Sequence, residues 1–302
     1  MRFNLPLQDK PFDVVGMGLN AVDFISVVPE FPAPNSKMEI LGGGQVATAL
    51  VALSRWGVKT KYIGKVGEDD LGNFSLHSIR QEGVEVSSVT TEPSATNQVA
   101  IILVEKSTGE RTILWNRDER LMYRKGELRK EEVCSGKILH LDGHDIQAAL
   151  QCVRWAKEEG IPTLIDLDKV ESLTSKLIQE IDFVITSSRF PMLYTGISDQ
   201  RKALLELQKH TSGFLCATLG HEGAVALING EFLYVKGFEV KALDTTGAGD
   251  VFHAGFIYGL LQNWEVAEIL RFANAVAALK CRDLGGRKGI PSLEEVQRFL
   301  SP

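Results

Sequence analysis

The chain has 302 residues, of which 44% are hydrophobic and 24% are charged, so it is long enough to bury one large core. Its formal net charge of −6 argues against nucleic acid as the main partner, because binding to a phosphate backbone usually requires a basic surface. No stretch has the length of a signal-peptide core or of a membrane helix, and the four cysteines form no CxxC pair. We therefore expect reduced thiols, no membrane contact and a cytoplasmic location.

Strand-like and helix-like stretches alternate along most of the chain. Residues 12–18 predict a buried strand, 45–57 a helix, 61–67 a strand and 71–83 a second helix. A further helix is predicted over residues 146–160. Four more buried strands are predicted at residues 137–143, 162–168, 182–188 and 213–220. This alternation predicts an α/β fold in which a mainly parallel sheet is covered by helices.

Two stretches interrupt the alternation. Residues 19–41 and 96–117 carry alternating β-branched residues with turn signals and no helix between their halves. Each stretch predicts an antiparallel hairpin, and together they predict a small lid sheet. We therefore expect an α/β domain formed by residues 1–18, 42–95 and 118–302, with the two hairpin stretches as its lid. Exposed lid strands favour a homodimer formed through the lid.

The sequence DTTGAGDVFHAG, at residues 244–255, carries the clearest chemical signal. Small residues lead directly into an apolar helical pattern, which leaves backbone N–H groups unpaired at the positive end of a helix and favours an anion there. Gly247, Ala248 and Gly249 would let a ligand approach these amides closely. Asp250 would lie in the first turn of this helix. It could cap the helix, or it could act as a general base that accepts a proton from a hydroxyl group while the amides hold the phosphoryl group under attack.

Other phosphate-binding motifs are missing from the sequence. Neither the Gly-Lys pair before Val66 nor the one before Ile138 continues as a P-loop. The segment GMGLNA lacks the last glycine of a dinucleotide-binding motif, and no protein-kinase signature is present. The anion site at residues 247–250 is therefore the main candidate for chemistry.

The segment DTTGAGDVFHAGF resembles, along its whole length, the second signature of the ribokinase-like (PfkB-type) carbohydrate kinases. Further similar segments follow the family order, at residues 18–23, 42–72, 216–227, 272–281 and 289–296. The resemblance covers nearly the whole chain. It implies a ribokinase-like fold, a mainly parallel sheet flanked by helices with a small β-sheet lid. It also implies an ATP-dependent sugar kinase that transfers the γ-phosphoryl group to a primary hydroxyl.

The resemblance also implies individual roles. Asp250 would be the catalytic base, with the amides of Gly247, Ala248 and Gly249 as the anion hole. The implied substrate-binding residues are Asn20, Asp23, Gly42, Gly43, Gly44, Thr48 and Asp142. The implied nucleotide-binding residues are Thr218, Gly220, Gly223 and Asn274. Asp244 and Thr246 match a monovalent-cation site, which allows activation by K⁺, and Mg²⁺ would arrive with ATP.

Several alternatives stay open. Asp23 and Asp142 could instead be turn or cap residues, and the three glycines a plain turn. Thr48 stands where many family members have asparagine, and residues 187–190 stand where many have N-x-x-E. A threonine hydroxyl is shorter than an amide, and Phe190 cannot order metal-bound water. A nucleoside kinase of the same fold and a catalytically idle sugar or nucleotide sensor are the other functions considered.

Overall fold

The computed structural model describes residues 1–28, 37–105 and 111–301. The turn signals predicted within the two hairpins, Pro-Ala-Pro-Asn and Ser-Thr-Gly-Glu, lie outside the described residues. Within the described ranges, no helix combines the length and apolar character needed to cross a membrane.

Strands and helices alternate along the described chain much as the sequence predicts. The described strands are β1 (Phe12–Met17), β2 (Ala21–Val28), β3 (Glu39–Gly43), β4 (Thr60–Gly67), β5 (Val89–Glu92), β6 (Val99–Glu105), β7 (Arg111–Asn116), β8 (Gly136–Asp142), β9 (Thr163–Leu167), β10 (Phe183–Thr186), β11 (Phe214–Thr218), β12 (Gly223–Ile228) and β13 (Glu231–Lys236). The described helices are α1 (Gln45–Arg55), α2 (Asp70–Arg80), α3 (Lys130–Val133), α4 (Ile146–Glu158), α5 (Thr174–Ile178), α6 (Phe190–Thr195), α7 (Gln200–Gln208), α8 (Ala248–Leu261), α9 (Val266–Lys280) and α10 (Leu293–Leu300).

The larger sheet is mainly parallel. Its strands lie in the order β13-β12-β11-β10-β9-β8-β1-β4-β5. Among its described strands, the antiparallel pairs are β11–β12 and β12–β13, at one edge. Helices α1, α8 and α9 pack against one face of this sheet, and α4, α5 and α7 pack against the other. Burial of both faces explains why the strands appear in the sequence as short, continuous apolar runs, and it confirms the predicted fold class.

The smaller sheet has the order β3-β2-β6-β7 among the described residues. β2 pairs antiparallel with β3, and β6 pairs antiparallel with β7, as expected for two hairpins. A parallel pairing of β2 with β6 joins the hairpins. β3 continues to Gly43, two residues past the predicted lid boundary at residue 41, so Gly42 and Gly43 are strand residues. Ile25, Ile102 and Val104 bury one face of this sheet.

Candidate active site

The amino terminus of α8 is formed by the predicted anion-binding loop. Gly247 is the N-cap residue with a left-handed φ of 76°, and no side chain caps the helix. A Cβ atom at this position would lie 2.6 Å from the Cα atom of Gly286, so glycine is required both by the backbone and by the close approach. A Cβ atom on Gly249 would meet no atom within 4 Å. The loop therefore leaves open space at the positive end of a helix.

Asp250 lies in the first turn of α8 and is half-buried. Burial raises its pKa to about 8, and the nearby carboxylates of Asp166 and Asp23 contribute in the same direction. The positive charge of Lys280 opposes this increase. A carboxylate with a pKa of about 8 is a much stronger base than an exposed aspartate, as removal of a hydroxyl proton requires.

Asp166 and His253 lie beneath the anion-binding loop, and both are buried. His253 Nδ1 lies 2.7 Å from the carbonyl oxygen of Gly249 and 3.5 Å from Oδ2 of Asp166. Burial lowers the pKa of His253, so the neutral imidazole can donate its Nδ1–H to the Gly249 carbonyl. This contact holds the backbone of the loop from below. The spacing of four residues between Gly249 and His253 is the only sequence signal for it.

Asp23 projects from β2 toward the neighbouring strand and is 5% exposed. A Cβ atom on Gly43 would lie 2.2 Å from Oδ2 of Asp23, so the glycine makes room for the carboxylate. Burial raises the pKa of Asp23 to about 6, while the charge of Arg287 acts in the opposite direction. Gly44 has a φ of 95°, and a Cβ atom there would lie 2.5 Å from the Leu19 carbonyl oxygen. Protein neighbours therefore require these glycines before any ligand is considered.

Arg287 is the main site residue that sequence reasoning missed. Its guanidinium is buried and donates hydrogen bonds to Oδ1 of Asn20 (3.0 Å), to Oγ of Ser78 (3.0 Å) and to the carbonyl oxygen of Gly43. A longer hydrogen bond of 3.4 Å reaches Oγ1 of Thr48. Thr48 is fully buried, so its hydroxyl lies beneath the site, against the arginine. The substrate roles of Asn20 and Thr48 stay predictions.

Gly42 and the carboxylate of Asp142 also have protein partners. A Cβ atom on Gly42 would lie 2.3 Å from a guanidinium nitrogen of Arg287. Asp142 is buried at the end of β8 and accepts hydrogen bonds from the backbone N–H groups of Leu19 (2.6 Å) and His144 (3.0 Å). Each oxygen of this carboxylate thus holds a neighbouring loop, and its predicted contact with substrate is not tested by this geometry.

The four predicted nucleotide-binding residues lie together around one cavity of about 460 Å³. These residues are Thr218, Gly220, Gly223 and Asn274. The same cavity is lined by Ala248 and Gly249, so it opens onto the amino terminus of α8. The amide of Asn274 donates to the carbonyl oxygens of Val235 (2.9 Å) and Lys236 (3.3 Å) and fixes the end of β13 at the cavity wall. Cavities of this size accommodate ligands as large as a nucleotide.

The predicted cation site at Asp244 and Thr246 already has protein donors on the oxygens of Asp244, and its role in binding a monovalent ion stays a prediction. Oδ1 of Asp244 accepts hydrogen bonds from the backbone N–H (2.9 Å) and the hydroxyl (2.8 Å) of Thr246. Oδ2 accepts a hydrogen bond from the N–H of Gly285 (2.7 Å). The backbone carbonyl oxygen accepts one from Nζ of Lys280 (3.0 Å). Each oxygen of Asp244 is therefore engaged by a protein donor.

Residues 187–190 contribute no acidic group to the site. The N–H of Ser187 donates to the carbonyl oxygen of Leu167 (2.9 Å), which fixes the turn after β10. Phe190 is fully buried and its ring lies 5.9 Å from that of Tyr194. The side chain therefore belongs to the core, as its apolar character requires.

An aspartate with a raised pKa beside an open helix amino terminus, next to a nucleotide-sized cavity, is compatible with phosphoryl transfer to a hydroxyl group. The described fold and site thus define a phosphotransferase. The family model "pfkB family carbohydrate kinase" matches residues 12–293, and the chain belongs to this family. The protein is accordingly a carbohydrate kinase, in which an alcohol group accepts the phosphoryl group.

Individual relatives agree over almost the whole chain. A ribokinase from Haemophilus influenzae is 28% identical over 306 residues, covering 96% of this chain and 98% of the relative. A 5-dehydro-2-deoxygluconokinase from Clostridium botulinum is 26% identical over 325 residues, covering 97% of this chain and 94% of the relative. The structure of Arabidopsis thaliana ribokinase complexed with ribose and ATP has a TM-score of 0.81 at 21% identity, covering 96% of this chain and 99% of that one. This last similarity shows the shared fold.

Proposed function

We propose that the protein transfers the γ-phosphoryl group of ATP to a primary hydroxyl of a carbohydrate, with Asp250 as the general base. The observation that carries this proposal is the position of Asp250 in the first turn of an uncapped helix, with its pKa raised to about 8. A capping role for Asp250 has no support, because no side chain caps α8. The raised pKa favours proton transfer instead.

In the proposed chemical step this base and the adjacent amides act directly on the reacting groups. A carboxylate oxygen of Asp250 accepts the proton of the substrate hydroxyl, whose oxygen forms a bond to the γ-phosphorus. The bond between that phosphorus and its bridging oxygen breaks, and the electron pair leaves with ADP. The backbone amides of Gly247 and Gly249 would stabilise negative charge on the transferring group, whereas the N–H of Ala248 donates to the carbonyl oxygen of Thr245 at 3.2 Å. The contact of His253 with the carbonyl oxygen of Gly249 holds this loop from below.

ATP would occupy the cavity lined by Thr218, Gly220, Gly223 and Asn274. The wall of this cavity is preformed, because Asn274 anchors β13, and its inner end meets the α8 amides. Mg²⁺ would be carried mainly by the phosphates of ATP and would neutralise their charge during transfer.

The carbohydrate would bind on the other side of Asp250, near Asp23. A carboxylate accepts hydrogen bonds from a pair of hydroxyl groups, and Asp23 is held next to Gly43 with little solvent exposure. The two named relatives are sugar kinases, which supports a sugar rather than a nucleoside as acceptor. The four cysteines form no disulfide bond, which supports a cytoplasmic location.

A panel of sugars, sugar acids and nucleosides, assayed for ADP formation with Mg²⁺ and ATP, tests the proposal. We expect turnover with at least one sugar and none with nucleosides. Phosphorylation of a nucleoside alone would favour the nucleoside kinase. Binding of several sugars by calorimetry without turnover of any would favour a sensor.

A further inference from the structure

Lys280 is the last residue of α9, and its side chain is fully buried. A buried ammonium group is costly unless oxygen atoms replace its water. Nζ of Lys280 donates to the carbonyl oxygen of Asp244 at 3.0 Å, and the carbonyl oxygen of Asp283 lies at 3.5 Å. The ammonium group therefore lies between the loop that precedes α8 and the loop that follows α9.

These two loops are also joined to each other by their backbones. The N–H groups of Leu243 and Asp244 both donate to the carbonyl oxygen of Cys281, at 2.8 and 3.2 Å. The N–H of Gly285 donates to Asp244 Oδ2 at 2.7 Å. The carbonyl groups around Lys280 are thus held in place, and such carbonyls are also the groups that coordinate K⁺ in proteins.

We propose that the ammonium group of Lys280 serves as a built-in monovalent cation in place of K⁺, so that the enzyme needs no added monovalent ion. Lys280 is then a positioning residue, because it acts through the Asp244 carbonyl on the loop that leads into the anion-binding amides. The catalytic part of this inference rests on the proposed kinase function, whereas the structural part does not. The positive charge also favours the ionised form of Asp250.

The first test measures thermal unfolding of the ligand-free protein in KCl and in tetramethylammonium chloride at equal ionic strength. We expect the same Tm for the wild type in both salts. Lys280→Ala opens space at the Asp244 carbonyl, so its Tm should be lower and should rise specifically with K⁺. Lys280→Met keeps the side-chain bulk without the charge, so K⁺ should not restore its Tm. Lys288→Met is the matched control, because Lys288 is exposed and pairs with Glu39 at 3.1 Å.

The second test measures ATP-dependent turnover in the same two salts. Wild-type turnover should be independent of K⁺, and Lys280→Ala should lose about tenfold and recover with K⁺ or NH₄⁺. A several-fold K⁺ activation of the wild type, or a K⁺-specific increase in its Tm, would overturn the inference. If the variants do not fold, the wild-type measurements in the two salts still test whether the enzyme needs K⁺. Absence of turnover with every acceptor would instead count against the proposed function. The unfolding measurements would still test whether Lys280 takes the place of K⁺ at the Asp244 carbonyl.

Discussion

The guanidinium of Arg287 donates a hydrogen bond of 3.0 Å to Oδ1 of Asn20, a residue 267 positions earlier in the chain. The same guanidinium contacts the carbonyl oxygen of Gly43 at the end of β3. It thus joins the loop after α9 to the β1–β2 connection and to the smaller sheet. Among the described residues, its hydrogen-bond acceptors are neutral oxygens, and burial lowers the pKa of Arg287 to about 10. The group is therefore a buried positive charge directly beside the proposed carbohydrate site.

Replacing Arg287 by lysine should weaken acceptor binding more than nucleotide binding. A lysine ammonium cannot span acceptors on four different segments, so Asn20 and Gly43 would lose their common anchor. We expect the KM for the sugar to rise by roughly tenfold while the KM for ATP changes little. Steady-state kinetics with each substrate varied in turn measures this, with Lys288→Met as the folding control. An increase confined to the KM for ATP would contradict the position given to Arg287.

Replacing Asp250 by asparagine should abolish turnover and keep ligand binding. The amide has nearly the same shape as the carboxylate but cannot accept the hydroxyl proton, and general-base catalysis contributes about 10²- to 10⁴-fold. Turnover should fall within or beyond that range, while calorimetry should still detect ATP and the sugar. A variant with wild-type turnover would show that another group is the base.

The raised pKa of Asp250 sets the expected pH dependence. Below pH 8 the carboxyl group is mostly protonated in the free enzyme, and the protonated form cannot act as a base. kcat/KM should therefore rise with pH and level off above about 8. Asp166 contributes to the increase, so Asp166→Asn should move the rising limb to lower pH. A profile that is flat from pH 6 to 9, measured with saturating Mg²⁺ and ATP, would exclude Asp250 as the titrating group.

The same carboxyl group should cost stability at high pH. In the unfolded chain Asp250 ionises near its ordinary value of 3.8, whereas in the folded protein it stays protonated up to about 8. Ionisation therefore favours the unfolded state increasingly as the pH rises from about 4 to 8. Asp250→Asn lacks this cost, so its free energy of unfolding should exceed that of the wild type at pH 8.5 and approach it only below about pH 4. Urea titrations without ligands measure the difference. A variant less stable than the wild type at pH 8.5 would contradict the raised pKa.

The sequence predicted the parts of the molecule that depend on neighbouring residues. Buried parallel strands appear as continuous apolar runs, so β1, β4 and the strands from β8 to β11 were predicted within a few residues. The loop before α8 was predicted because its glycines, its helix and Asp250 are contiguous. The parallel pairing of β2 with β6 was not predicted, because the two strands lie far apart in the sequence and nothing local specifies how two hairpins join.

Contacts between distant segments explain what the sequence analysis missed. Arg287 follows two glycines in a loop, and nothing near it indicates that its partners are Asn20 and Thr48. Lys280 ends an apolar helix and resembles an ordinary basic residue in a last turn, yet it is fully buried against Asp244. The glycines near residue 43 were predicted to admit a ligand, and the structure shows that Asp23 and Arg287 fill the space that side chains there would need.

The outer face of the smaller sheet carries an apolar row that predicts self-association. Phe24 is paired with Ile40 on one side and with Ile101 on the other, and Ile101 is paired with Leu114. Ile40, Ile101 and Leu114 are 48%, 40% and 63% exposed, so the row crosses all four strands in contact with solvent. A second copy of the chain presents the same row, and a twofold axis would bring the two together.

We therefore expect the protein to be a dimer formed through this sheet. Ile101→Lys combined with Leu114→Glu places charges in the centre of the row and should shift the mass in solution from dimer to monomer. Sedimentation equilibrium measures the mass, and Leu205→Glu, at an exposed leucine on α7, is the control that should leave it unchanged. A wild-type protein that is monomeric at micromolar concentration would contradict the prediction. Since Asp23 lies on β2 next to Phe24 of the row, loss of the dimer should also raise the KM for the sugar.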